Sequence, residues 1–188
     1  MTQLLQRLRE EHRNFARLID AVEGELEQFN AGGRPNYELL LAAVDYLRDY
    51  AEVQHHPAED LVFARLKACA PECADRCGDL IADHHRLQAL TDRFLNLLRG
   101  VLAESTVARD RVDREAFAFL DAQRKHMRAE DARFFAEAER ALSPKDWEEL
   151  AEQARSAPDP LFGVHAEARF RELRRAIDAL SSERVGRQ

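Results

Sequence analysis

Two short segments carry side chains whose types and spacing suit metal chemistry. His55-His56-Pro57-Ala58-Glu59-Asp60 returns seventy-one residues later, shortened, as His126-Met127-Arg128-Ala129-Glu130-Asp131. In each copy a histidine is followed four positions on by a glutamate and five positions on by an aspartate. Residues four apart lie one turn apart on the same face of a helix, so each His/Glu pair can grip one metal ion. Two such helices facing each other can supply two ions.

The other histidines extend the pattern. His12 lies in Glu10-Glu11-His12-Arg13-Asn14-Phe15, and His84 and His85 lie in Asp83-His84-His85-Arg86-Leu87. Superposing His12 on His84 puts Leu8 on Leu80, Phe15 on Leu87 and Leu18 on Leu90, whereas superposing it on His85 puts Phe15 on Gln88 and Leu18 on Thr91. The apolar register therefore selects His84 as the inward residue. The chain reads as a repeated unit, with a lone histidine on one helix and a His/Glu pair on the next. His12, His55 and Glu59 form one set; His84, His126 and Glu130 form the other. Four neutral imidazoles and two carboxylates suit two cations, and nitrogen and oxygen donors without thiolate favour iron, manganese or zinc over copper(I). Burying these six groups in an apolar core without a partner would be costly. His56 and His85 read as rotated off the ligand face, and His165 as a residue of the last helix; none is taken as a ligand. Asp60 and Asp131, like Glu11, Asp83 and Glu52, are read as carboxylates that orient an imidazole or as solvated acids.

The elements that must position these groups are helical almost throughout. Leu4, Leu5, Leu8, Phe15, Leu18, Ile19, Val22, Leu26 and Phe29 recur with helical period, and Ala31-Gly32-Gly33-Arg34-Pro35-Asn36 breaks the run. A second helix is expected over about Tyr37–Leu66, loosened at Pro57, which lacks a backbone donor. A third is expected over about Asp79–Glu104, with a break at Ser105-Thr106, and a fourth over about Asp110–Leu142. This pattern predicts an all-α fold: an antiparallel up-down four-helix bundle with two short extra C-terminal helices. Ser143-Pro144-Lys145-Asp146 marks a helix start ending near Ser156, and a last helix is expected over about Val164–Leu180, followed by a polar, fraying tail. The division is a bundle over 1–142 and a C-terminal helical extension over 143–188 packed on it.

Composition narrows the function. With 28 basic and 35 acidic residues, a net charge of -7 disfavours nucleic acid and anionic membranes. No apolar run approaches the roughly 18 residues that span a bilayer, and the amino terminus lacks a secretory signal, so a cytoplasmic location is expected. Cys69, Cys73 and Cys77 are odd in number and interrupted by Pro71, which reads as incidental thiols in a connection. No nucleophile triad or phosphate-binding loop is present.

Taken in order, Glu11-His12-Arg13, His55 through Phe63, Asp83-His84-His85-Arg86-Leu87 and His126 through Asp131 resemble the hemerythrin-like proteins of the HHE cation-binding family, over roughly residues 3 to 142. Leu142 through Trp147 and Asp159 through Gly163 resemble continuations found in bacterial members. The resemblance implies a four-helix bundle around two non-heme irons bridged by carboxylates and an oxo or hydroxo group, with His12, His55, Glu59, His84, His126 and Glu130 as ligands and the two glutamates bridging. Zinc or manganese are the less favoured alternatives. One departure matters: oxygen-carrying hemerythrins have a further histidine four after that of the third helix, where this chain has Gln88. Reversible oxygen carriage is therefore not implied, and Asp131 is a rival to Glu130 as second bridge. The expected function is binding or sensing of a small ligand such as oxygen or nitric oxide, by a monomer or homodimer. The alternatives are a di-iron enzyme decomposing peroxide or a reactive nitrogen species, and an iron or zinc store.

Overall fold

The structure, a computed structural model, describes residues 2–103, 107–154 and 157–185. Among the described residues it is helical with no strand. Helix α1 (Gln3–Asn30) starts where the Thr2 hydroxyl accepts from the Leu5 amide, and it buries the stripe Leu4, Leu5, Leu8, Phe15, Leu18, Ile19, Val22 and Leu26. It stops before Gly32, whose φ of 90° favours glycine. Asn36 caps α2 (Tyr37–Tyr46) by accepting from Leu39.

The second helical path does not break at Pro57. It continues from α2 through a π-helical segment, Leu47–His55, into α3 (His56–Cys69). Pro57 cannot donate, and its ring would press on the carbonyl four residues back in a regular helix. The wider turn relieves this, with the His56 amide donating to Ala51 five residues back.

The cysteine segment, expected as a connection, contains a short helix, α4 (Pro71–Cys77). Gly78, at φ 79°, then admits the turn into α5 (Leu80–Leu102), which Asp79 caps at the Ala82 amide. Glu104–Thr106, where a break was expected, lie outside the described residues. Helix α6 (Arg109–Ala129) passes through a second π segment, Glu130–Phe134, into α7 (Phe135–Ala141).

Side chains bridge these paths in a consistent order. Phe15 of α1 meets Tyr46 and Tyr50, while His12 meets His55. Arg99 of α5 bonds Asp45, while His84 bonds Asp60. Phe94 packs on Phe119, and Arg124 bonds Asp20 and Glu23 of α1.

The expected start of α8 (Pro144–Gln153) is present, Ser143 and Asp146 forming a reciprocal capping box. The end near Ser156 lies outside the described residues. Helix α8 packs on α1 and α3, tied by Arg65 to Asp146 and Glu149. The last helix begins later than expected: Val164 and His165 are exposed, and a 3-10 turn at Ala168–Phe170 leads into α9 (Arg171–Val185). Helix α9 runs past Ser181, where fraying was expected, and lies against α1 and α2 through Phe170, Leu173 and Ile177. No helix among the described residues is long and apolar enough to cross a membrane.

Candidate metal centre

The interior contains two apolar clusters. One holds Leu4, Leu5, Leu8, Phe63, Phe134 and Phe135, and the other holds Phe15, Leu18, Val44, Phe94 and Phe119. Between them lies a polar layer in which His12, His55, His56, Glu59, His84, His126 and Glu130 are all buried. Every residue chosen from the sequence is therefore inside, and two groups are close enough to hold a metal ion. His12, His55 and Glu59 make one; His56, Glu59, His84 and His126 make the other. Neither contains a cysteine. Cys69 is exposed, Cys73 is buried beside Arg76, and all three thiols are free.

The glutamates sit at the hub. Glu59 Oε1 is 3.4 Å from His12 Nε2 and 3.2 Å from His55 Nε2, while its Oε2 is 3.4 Å from His84 Nε2. Glu130 Oε2 is 3.4 Å from His12 Nε2 and 3.0 Å from His126 Nε2, and its Oε1 is 3.4 Å from His84 Nε2. Each carboxylate thus turns its two oxygens toward different imidazoles from both halves of the repeat.

These donors converge without satisfying one another. His12 Nε2, His55 Nε2, His126 Nε2, both Glu59 oxygens and Glu130 Oε2 are buried with no hydrogen-bond partner among the described residues. Two donors bound to one ion at about 2.1 Å stand about 3.0 Å apart at a right angle and about 3.4 Å apart at a tetrahedral angle. The observed spacings are those of ligands around an ion, and the mixed imidazole–carboxylate set suits a borderline divalent metal.

The opposite ring nitrogens face carboxylates. His55 Nδ1 is 2.7 Å from Glu11, His84 Nδ1 is 2.9 Å from Asp60 and His12 Nδ1 is 3.2 Å from Asp131. Such a partner fixes which nitrogen carries the proton and leaves Nε2 free to ligate. Glu11 is held in turn by the Tyr50 hydroxyl, which donates at 2.9 Å. Burial and Glu11 push the Tyr50 phenol up, so it keeps its proton. Asp83 orients no imidazole and pairs with Arg86. Asp131 is half-exposed against His12, whereas Glu130 is buried at the hub, which distinguishes the two rivals.

The electrostatics of the protein without an ion follow from this packing. Burial works to lower His12, but Asp131, Glu130 and Glu59 outweigh it and raise its pKa well above the ordinary value. Burial likewise opposes His84, yet Asp60, Glu130 and Glu59 hold it up at about 11. Burial would raise Glu59, and burial with Glu59 itself would raise Glu130; the surrounding imidazoles override this and hold both carboxyls low.

Two sequence readings are corrected. His56 is not rotated off the face: the π segment takes up an extra residue, so His55 and His56 both turn inward, and the His56 ring lies 4.2 Å from that of His84 at an interplanar angle of 10°. Gln88 is exposed and lies outside the centre. His85 is exposed, and His165, expected on the last helix, lies exposed in the segment before α9. The proline beside the histidine pair was the one signal that could have revealed His56.

A family model for the hemerythrin HHE cation-binding domain matches residues 3–138, and the chain belongs to that family. No curated protein and no solved structure gave a match. The family binds metal cations, and this chain has histidine and glutamate groups placed to hold a metal ion.

Proposed function

We propose that this protein holds a pair of non-heme irons and uses them to bind or sense a small ligand such as oxygen or nitric oxide. The observation that supports this most directly is the hub formed by Glu59 and Glu130, each facing imidazoles of both halves of the repeat. In this reading His12, His55, Glu59, His84, His126 and Glu130 are ligands, with the two glutamates bridging. When bound, a ferrous pair would supply electrons to a diatomic ligand. The chain's own residues do the rest. Glu11, Asp60 and Asp131 orient imidazoles, and Phe15 and Phe135, with ring centroids 4.9 Å from His55 and 5.1 Å from His12, keep the layer dry. A cleft of about 390 Å³, whose lining includes Asp83, Leu87, Leu90, Lys125 and His126, lies against one side of the layer.

The scaffold in this reading is an antiparallel four-helix bundle over 1–142, supported by the opposed order of side-chain contacts between successive helical paths. Residues 143–188 form an extension packed on it, and the protein acts in the cytoplasm as a monomer or homodimer. The test is metal identity and stoichiometry in protein purified without added metal, followed by oxygen and nitric oxide additions to the anaerobic ferrous form. Two irons per chain and visible absorption changes on ligand addition are expected. Zinc as the sole tightly held metal would overturn the reading, and rapid peroxide consumption lost in His55→Ala and His126→Ala would move it to an enzyme.

A further inference from the structure

We infer that His56 is a seventh protein ligand of the centre, supplying the imidazole that the third helical path lacks at Gln88. This rests on the di-iron reading above and adds a donor to it. His56 is 5% exposed, and it offers a ligand atom within 4.8 Å of those of Glu59, His84 and His126. It precedes Glu59 by three residues on α3, so the two side chains share a face.

Its surroundings resemble those of the other candidate ligands. Nδ1 of His12, His55 and His84 each bonds a carboxylate, and Nδ1 of His56, buried with no hydrogen-bond partner among the described residues, has Glu52 Oε2 at 3.5 Å, one turn back. A histidine kept in the core only for packing has no need of a carboxylate on one edge and three metal-binding side chains on the other. Backbone geometry explains how adjacent histidines both reach inward. The π segment ends at His55, and Pro57 makes a regular helix unfavourable at that point.

The donor inventory becomes unequal. His12 and His55 serve one ion, and His56, His84 and His126 serve the other, with Glu59 and Glu130 between them. Two ions in unlike surroundings have unlike spectra, which makes the inference measurable without any activity.

The experiment loads wild-type protein and the variants His56→Ala, His56→Phe and His56→Gly anaerobically with iron-57, oxidises them and records Mössbauer spectra with iron content. Wild type is expected to show two distinct quadrupole doublets. His56→Ala and His56→Phe should alter one doublet and leave the other, and imidazole added to His56→Gly should restore the wild-type pair. His56→Phe keeps a buried ring beside His84 but cannot ligate. A wild-type spectrum in His56→Phe, or no imidazole effect in His56→Gly, would overturn the inference and leave His56 a packing residue. Wild-type protein that takes up no pair of irons would instead defeat the di-iron reading itself. Circular dichroism of each variant checks folding, and the imidazole rescue decides the matter if His56→Ala folds poorly.

Discussion

Removing the metal should destabilise the protein by an amount that the structure allows to be estimated. Seven nitrogen and oxygen atoms of the central layer are buried without a hydrogen-bond partner among the described residues: His12 Nε2, His55 Nε2, His56 Nδ1, His126 Nε2, both Glu59 oxygens and Glu130 Oε2. An orphaned buried polar atom costs about 1–3 kcal/mol. Protons held between His12, His84 and the two glutamates offset part of that when no ion is bound. A residual penalty on the order of 5 kcal/mol is a large share of the roughly 5–15 kcal/mol that holds a domain together. Mass action gives a similar figure independently, since a ligand at about 1,000 times its Kd stabilises by about 4 kcal/mol. At about 2–4 °C per kcal/mol for a chain of this size, chelation should lower Tm by about 10–20 °C. Thermal unfolding followed by circular dichroism, with and without a strong chelator, reads this directly. Glu59→Gln, which keeps the shape but loses the carboxylate, should erase most of the metal-dependent gain. Metal-loaded and chelated protein unfolding within about 2 °C of each other would refute the reasoning, because the orphaned donors would then have found other partners.

Glu11→Gln should weaken metal binding about 10–100-fold without unfolding the chain, because it loosens the imidazole of His55 rather than removing a ligand; competition against a calibrated chelator measures this, and unchanged affinity would sink the orienting role. Metal-free protein should be most stable between about pH 5 and 7. The raised His12 and His84 stabilise below the ordinary histidine value of 6.5 and lose this as pH climbs, for His84 toward about 11, while the lowered Glu59 and Glu130 stabilise above 4.5 and lose it as pH falls. Metal loading at pH 7 must therefore expel protons from these imidazoles, and calorimetry in buffers of different ionisation enthalpy should show it; buffer-independent heats would contradict the assignment. Loading should also be cooperative, because each glutamate serves both halves: His55→Ala should drop the content below one ion per chain, and a clean one-ion plateau would count against the shared hub.

Much of this was legible in the residues. The apolar stripes located the helices, since a helix that buries one face must repeat its apolar residues with helical period. Matching His12 to His84 through Leu8, Phe15 and Leu18 chose the inward histidine correctly, and His84 is buried while His85 is exposed. His56 escaped because periodicity arguments assume a constant angle per residue, and the π segment violates that assumption just before the ligand pair. Leu87 and Thr91 take the inward places on α5, leaving Gln88 outside. The short α4 hid behind Pro71, which reads as a breaker but also suits a helix's first turn.

The duplicated spacing reaches deeper than the ligands themselves. One π segment, Leu47–His55, ends at the histidine of its His/Glu pair, and the other, Glu130–Phe134, begins at the glutamate of its own. In each, an amide donates five residues back, His56 to Ala51 and Phe135 to Glu130. A π turn costs hydrogen-bond geometry and persists where something nearby compensates. In the first half Pro57 supplies that reason; the second half has no proline, so the centre itself is the common factor. Glu59 and Glu130 meet at the hub, while Phe63 and Phe134 pack against each other with ring centroids 6.1 Å apart. The backbone distortion, the polar layer and the separation of the two apolar clusters are then one arrangement, which gathers buried histidine and glutamate side chains where they can hold a metal ion.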